Sequence, residues 1–239
     1  MFYIQERDAI EFMAGLNDNA VTMTIADIPY DVINREGGIR NMDKGDADVM
    51  TFDLHEFVKQ IMRVTSGSIY IFCSSEQVSG IRTQLDLDLT TRHCIWEKTN
   101  PSPMHGQRFW LSSIENCVFA RKSNATFNEH CQSAVWRESV ERSIKGHPTP
   151  KSVVLLKRLI EASSNAGDTV LDPCLGSGST GLACKMTGRT FIGCDINPDY
   201  IVAARERIEA LDINDNPWLK KLKKREKDAQ QTTIVTNQR

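Results

Sequence analysis

The chain has 239 residues, 40% of them hydrophobic and 25% charged, with 29 basic against 31 acidic side chains. That length suits one large α/β domain with a small insertion, and no apolar run approaches the ~18 residues of a membrane span. A formal net charge of -2 excludes a globally basic nucleic-acid-coating surface, and Met1 to Asp8 lacks the basic-then-apolar pattern of a secretory signal.

In chain order, Phe2–Gln5 predicts a strand, about Asp8 to Leu16 a helix, and Val21–Ala26 a second strand. Glu56–Val64 predicts a helix, Ser68–Cys73 a buried strand and Glu76–Leu85 another helix, followed by strands at Arg92–Trp96 and Asn116–Arg121. Pro150–Ser163 is amphipathic, with Val153, Val154, Leu156, Leu159 and Ile160 on its apolar face. Thr169–Leu171 and Thr190–Cys194 read as strands, Thr180–Met186 and Pro198–Leu211 as helices. Short β-branched runs alternating with helical patterns indicate a mostly parallel, doubly wound sheet covered on both faces. Two stretches fall outside the pattern: Asn34–Thr51, a Gly, Asp and Asn-rich loop, and Ser123–Gly146, which is polar and irregular. After Trp218 comes a tail with Lys220, Lys221, Lys223 and Lys224, read as frayed and solvated.

Charge is unevenly placed. Residues 1–91 carry 7 Lys and Arg against 15 Asp and Glu, whereas residues 92–158 carry 11 against 5. A positive middle can track a phosphate backbone. The seven cysteines are odd in number and none lies in C-x-x-C, which predicts reduced thiols in a cytoplasm. Cys94, His105, Cys117 and His130 match no ligand spacing, so no metal is expected.

The run from Asp168 to Gly181 takes an apolar strand into Asp172-Pro173-Cys174-Leu175, then Gly176-Ser177-Gly178-Ser179-Thr180-Gly181 at a helix start. Glycines there admit positive φ and close approach of a ligand, and a helix N-terminus offers free N–H groups. It is not a P-loop, lacking the lysine, and the Asp-Pro before the glycines departs from the dinucleotide fingerprint. The next strand ends in Asp195, an acid suited to ribose hydroxyls. From Val170 to Tyr200 the segments L-D-P-C-L-G-S-G-S-T-G and F-I-G-C-D-I-N-P-D-Y resemble the AdoMet-binding half of the β-class DNA amino-methyltransferases. The resemblance implies an AdoMet-dependent methyltransferase (Rossmann-like) fold, with S-adenosylmethionine bound by Asp172, Pro173, Gly176, Ser177, Gly178, Ser179, Thr180 and Asp195.

Asp27-Ile28-Pro29-Tyr30 follows a predicted strand and resembles that family's D-P-P-Y, with Ile28 in place of the first proline. An exocyclic amine is a poor nucleophile because its lone pair is delocalised into the ring. Two acceptors gripping its protons favour a pyramidal nitrogen; by resemblance these are the Asp27 side chain and the Ile28 carbonyl. Pro29 stiffens the turn, and Tyr30 stacks on an extruded base. Aspartate at the first position points to adenine N6 rather than cytosine N4, the rival product. A rival of another class is a catalytically silent DNA-binding protein of the same fold.

Trp96-Glu97-Lys98-Thr99-Asn100-Pro101-Ser102-Pro103, with Arg108, Phe109 and Glu115 beyond, resembles the family's W-x-K-x-N-P-x-P segment beside the target base. It implies Lys98 and Arg108 as phosphate contacts and Phe109 as a wall for the flipped base. His147-Pro148-Thr149-Pro150-Lys151 resembles H-P-T-Q-K-P, which puts His147, Thr149 and Lys151 at the methionine end of the cofactor. Asp8 is similar to an acid near the cofactor adenine, although Arg7 stands where the family has glycine.

The tetrapeptide-first order belongs to the β class. It implies a single methyltransferase domain over 1–218: a catalytic part (1–121), a target-recognition insertion (about 122–146), an AdoMet-binding part (147–214), and a tail (219–239). Arg121, Lys122, Arg137, Arg142 and Lys145 are then candidate DNA contacts. The implied partner is double-stranded DNA, with no membrane; a homodimer, a cognate restriction enzyme and a phage or prophage origin stay open.

Overall fold

The computed structural model describes residues 1–30, 52–103, 108, 110–141 and 150–212. Within them the chain runs β1 (Phe2–Glu6), α1 (Ala9–Ala14), β2 (Val21–Asp27), α2 (Leu54–Val64), β3 (Thr65–Cys73), α3 (Gln77–Leu85), β4 (Thr90–Lys98), β5 (Ile114–Arg121), β6 (Val135–Glu138), α4 (Val153–Ser163), β7 (Thr169–Asp172), α5 (Ser179–Thr187), β8 (Thr190–Asp195) and α6 (Pro198–Glu209).

Local chemistry sets the helix starts. Asp8, Asp53, Ser152 and Asn197 accept hydrogen bonds from the first-turn N–H groups of α1, α2, α4 and α6, and Pro198 opens α6, where no N–H is needed. Gly188, in the left-handed region, ends α5.

The strands form one sheet in the order β1-β8-β7-β2-β3-β5-β4-β6. Most neighbours are parallel; β5 alone among the described strands runs against its neighbours β3 and β4. Helices cover both faces. Leu155, Leu156, Leu159 and Ile160 of α4, Leu182 and Ala183 of α5, and Ile201, Ala204 and Ile208 of α6 pack on one face with Tyr70, Phe72 and Trp96. Phe12 and Met13 of α1, Phe57, Val58 and Ile61 of α2, and Ile81 and Leu85 of α3 pack on the other. The expected doubly wound, mostly parallel α/β sheet is the observed one.

β6 departs from expectation. It lies inside the stretch read as irregular, where Trp136 is buried and pairs beside Trp96 on β4. Four residues with one buried aromatic are too short a signal to stand out from a polar background. The loop 34–51 and the lysine tail fall outside the described residues. No described helix is long and apolar enough to cross a membrane.

The chain leaves β7 toward β8 on one side and leaves β2 toward β3 on the other. The crevice outside the carboxyl ends of β2 and β7 is therefore the topological switch point, where open α/β sheets take ligands.

Candidate active site

Each wall of that crevice is built by one of the two motifs. On the β7 side, Asp172 is buried and receives hydrogen bonds from Thr180 Oγ1 at 2.6 Å and from the Cys174 N–H at 3.1 Å. Burial pushes its carboxyl up to about 7, against the pull of those two donors. Gly176 and Gly178 have φ of 46° and 72°, and a Cβ on Gly178 would meet the Ala204 Cβ at 2.8 Å. Gly181 instead lets α5 pack on Phe191 and Ile208. Asp195, at the end of β8, accepts from the Gly176 N–H (2.8 Å) and the Asn197 N–H (2.9 Å); burial raises its carboxyl, opposed by these donors. The Pro173 carbonyl faces the Cys194 thiol. Ser177 and Ser179 share a hydroxyl contact, and Arg207 of α6 donates to the Ser177 carbonyl (3.0 Å) and Ser179 Oγ (2.9 Å). The same guanidinium reaches Glu141 Oε2 at 3.1 Å, while Glu141 Oε1 accepts from the Val153 N–H. The glycine-rich turn is thus tied to residues just after β6, an arrangement no local motif announces.

On the β2 side, Ile28 buries its side chain among Ala26, Ile69 and Ile71, and its N–H donates to the Phe72 carbonyl at 3.2 Å. Pro29 offers its carbonyl to Gln77 Nε2 at 3.0 Å. Among the described residues no donor reaches the Ile28 carbonyl, which is left to accept. The isoleucine that replaces the usual proline is an apolar anchor for the turn.

Asp27 is surrounded by charge. Lys151 Nζ lies 2.8 Å from Asp27 Oδ1 and 2.6 Å from Glu115 Oε2, with its side chain only 10% exposed. Lys98 Nζ holds the other Glu115 oxygen, Oε1, at 2.7 Å. The Tyr30 hydroxyl donates to Asp27 Oδ1 (3.2 Å) or Glu115 Oε2 (3.3 Å), and Lys151 sits 4.7 Å from the Phe72 ring centroid. Asp27, its side chain 36% exposed, is partly buried; that burial pushes its carboxyl up, and the Lys151 ammonium only partly offsets it. Burial also opposes ionisation of Glu115, yet its two lysines hold it below the usual carboxylate range. The Tyr30 phenol is raised, first by burial and then by Asp27.

These contacts relocate several expected residues. Lys151, expected against the cofactor, lies against Asp27. Lys98, expected on phosphate, is drawn into the Glu115 pair because the antiparallel start of β5 brings that acid beside the end of β4. Asn100 exchanges hydrogen bonds with the Val140 backbone. Asp8 lies near the end of β8, with its carboxylate occupied as the cap of α1. Arg121 and Lys122 stand at the opposite end of the sheet from Asp27, since β5 runs backwards; Arg121 donates to the Ala125 carbonyl at 2.6 Å and Lys122 to Asn19 Oδ1 at 2.7 Å. They are not brought to the crevice. Arg137 is 71% exposed and pairs with Glu97 at 2.8 Å, and Arg108 is exposed. Phe109, Arg142, Lys145, His147 and Thr149 lie outside the described residues. Glu115 is the functional candidate whose role the sequence does not disclose: an acid opening an apolar strand is the one hint of its buried pairing.

Comparison with known proteins agrees with this architecture. The family whose description is DNA methylase, covering N6 and N4 enzymes, matches residues 21–206. The Type II methyltransferase M2.DpnII of Streptococcus pneumoniae is 31% identical over 85% of this chain and 88% of its own length. M.HpaI of Haemophilus parainfluenzae is 30% identical over 85% and 73%. Among solved structures, the M1.HpyAVI–SAM complex superposes with a TM-score of 0.67 at 30% identity, over 87% of this chain and 100% of that one. The cytosine-N4-specific PvuII methyltransferase shares the fold, with a TM-score of 0.66 at 14% identity.

Proposed function

The chain belongs to the DNA methylase family of N6 and N4 amino-methyltransferases, and we propose that within it the chain methylates adenine N6 in double-stranded DNA. The observation that carries this reading is the pairing at the switch point of an open carbonyl, Ile28, with an acidic acceptor, Asp27. Both can grip the protons of one exocyclic amine extruded from the duplex, and aspartate at that position supports adenine over cytosine.

The cofactor is S-adenosylmethionine, which supplies an electrophilic methyl on a sulfonium. The residues present fit it: Gly176 and Gly178 keep the turn free of side chains, the N-terminus of α5 follows, and Asp195 and Asp172 close the crevice with carboxylate oxygens. Each carboxylate oxygen has a second lone pair beyond the hydrogen bond it already accepts, from a backbone N–H at three of them and from the Thr180 hydroxyl at Asp172 Oδ2. Asp27 and the Ile28 carbonyl would hold the two amine protons and aim the nitrogen lone pair at the sulfonium methyl. The new nitrogen–carbon bond would form as the methyl–sulfur bond breaks, leaving a neutral thioether, and the proton lost from nitrogen would pass to Asp27 and on to water. Tyr30 lies beside Asp27 where its ring can stack on the extruded base, its hydroxyl held in the Glu115 network.

Lys98 ends β4 and Arg137 lies on β6 beside it; Arg137 and Arg108, both exposed, are the better phosphate contacts. The Type II names of the relatives support a cognate restriction enzyme as functional partner, and seven free thiols support a reducing cytoplasm.

Asp27→Ala tests the assignment. It retains AdoMet binding by calorimetry and loses tritiated methyl transfer to DNA by at least ~100-fold, the scale of a general acid–base or charge-stabilising group. Turnover close to that of the unaltered protein sinks it.

A further inference from the structure

Lys151 precedes α4 by two residues, and its ammonium is shared between two carboxylates and a phenol. We propose that Lys151 is a positioning residue for the methyl acceptor: anchored on Glu115, it pins Asp27 Oδ1 and the Tyr30 hydroxyl so that Asp27 presents Oδ2 to the target amine. The proposal rests on the reading of Asp27 as the amine's acceptor.

Geometry supplies the first argument. Asp27 Oδ1 faces Lys151 Nζ at 2.8 Å and the Tyr30 hydroxyl at 3.2 Å, and among the described residues nothing donates to Oδ2. Lys151 is itself fixed by Glu115 at 2.6 Å and by the Phe72, Trp96 and Tyr30 rings, 4.7 to 5.8 Å from its nitrogen. The chain Asp27–Lys151–Glu115–Lys98 crosses four segments that only the sheet order brings together.

Charge supplies the second. Asp27 has a like charge beside it, Glu115 from β5, while Asp172 from β7, whose own carboxyl is raised to about 7, and the Cys73 thiol from β3 lie close by. Lys98 is spent on the far oxygen of Glu115, so Lys151 is the cation that the described residues set in contact with Asp27. Buried carboxylates that share a site without a counter-charge retain a proton. A protonated Asp27 would offer a donor where the amine needs an acceptor, leaving the Ile28 carbonyl alone to hold it.

Two readouts test this: the ¹³C-carboxyl NMR titration of Asp27 in the cofactor-free protein, and the acidic limb of kcat/KM for methyl transfer. Lys151→Met moves both upward by about one to three pH units, the usual effect of an opposite charge at this range. Glu115→Gln removes a like charge and leaves Lys151 to Asp27 alone, so it moves both downward. Lys151→Arg keeps both near the unaltered protein. Unmoved titrations, or shifts of the same sign in Lys151→Met and Glu115→Gln, overturn the proposal. So does loss of AdoMet binding in Lys151→Met with Asp27 titrating as before, which would return Lys151 to the cofactor. If Lys151→Met does not fold, a Glu115→Gln midpoint that fails to fall overturns it on its own. An unaltered protein that transfers no methyl to DNA sinks the functional reading instead, and the NMR titration still judges the Lys151–Asp27 coupling.

Discussion

Gly178→Ala puts one methyl group where the fold has left no room. Gly178 sits at φ 72° as the N-cap of α5, and a left-handed residue with a Cβ costs roughly 1–2 kcal/mol. The added Cβ would also lie 2.8 Å from the Ala204 Cβ and 3.1 Å from its Cα. Those contacts are with the Ala204 Cβ and the α6 backbone that carries it, so no flexible side chain can yield, and overpacking of this kind costs about 1–3 kcal/mol. The smaller entropy of the unfolded alanine chain returns about 0.4–1 kcal/mol. The net is a loss of about 1–5 kcal/mol, or about 2–20 °C in Tm for a chain of this size. Urea and thermal unfolding measure it. Gly80→Ala is the internal control, because a Cβ there meets nothing within 4 Å on an ordinary helical backbone; it should stabilise by up to about 1 kcal/mol. Weakened AdoMet binding should accompany the Gly178 variant, as α6 is displaced from the turn. Equal stabilities for the two variants, or a Gly178 loss below about 1 kcal/mol, refute the packing argument.

Asp172 provides a pH test. Its carboxyl is raised to about 7 in the fold, so the native chain retains a proton that the unfolded chain releases near the ordinary aspartate value. The stability this contributes is complete below about pH 4 and is lost as pH rises through 7. Relative to the unaltered protein, Asp172→Asn should therefore gain stability between pH 5 and pH 8, read from urea midpoints; a difference that stays constant across that range contradicts it. Lys122→Gln, at the far end of the sheet, should leave DNA affinity and its salt dependence unchanged. A fall of about 0.9 in the slope of log K against log salt would show it to be a phosphate contact after all.

The parts of the site legible in the sequence are those that a single loop builds. Asp172 to Gly181 and Asp27 to Tyr30 each follow one strand, so strand prediction alone delivers them to the carboxyl edge. Ile28 was readable as tolerable because that position needs a carbonyl, and its burial adds that the side chain holds the turn down. The Lys151–Glu115–Lys98 chain was not readable: it needs the order β3-β5-β4, which places the start of β5 beside the end of β4. The same reversal explains Arg121 and Lys122. Their charges sit at the end of a strand, as Asp27 sits at the end of β2, but an antiparallel strand ends at the other rim. The Arg207–Glu141 pair is not legible in the sequence because its partners stand 66 residues apart.

The account turns on what the tetrapeptide grips. DNA methylated by the unaltered protein with tritiated AdoMet, digested to nucleosides and separated, reports this directly. The account predicts label in the deoxynucleoside of N6-methyladenine alone, and label in the deoxynucleoside of N4-methylcytosine, or none in any base, would contradict it.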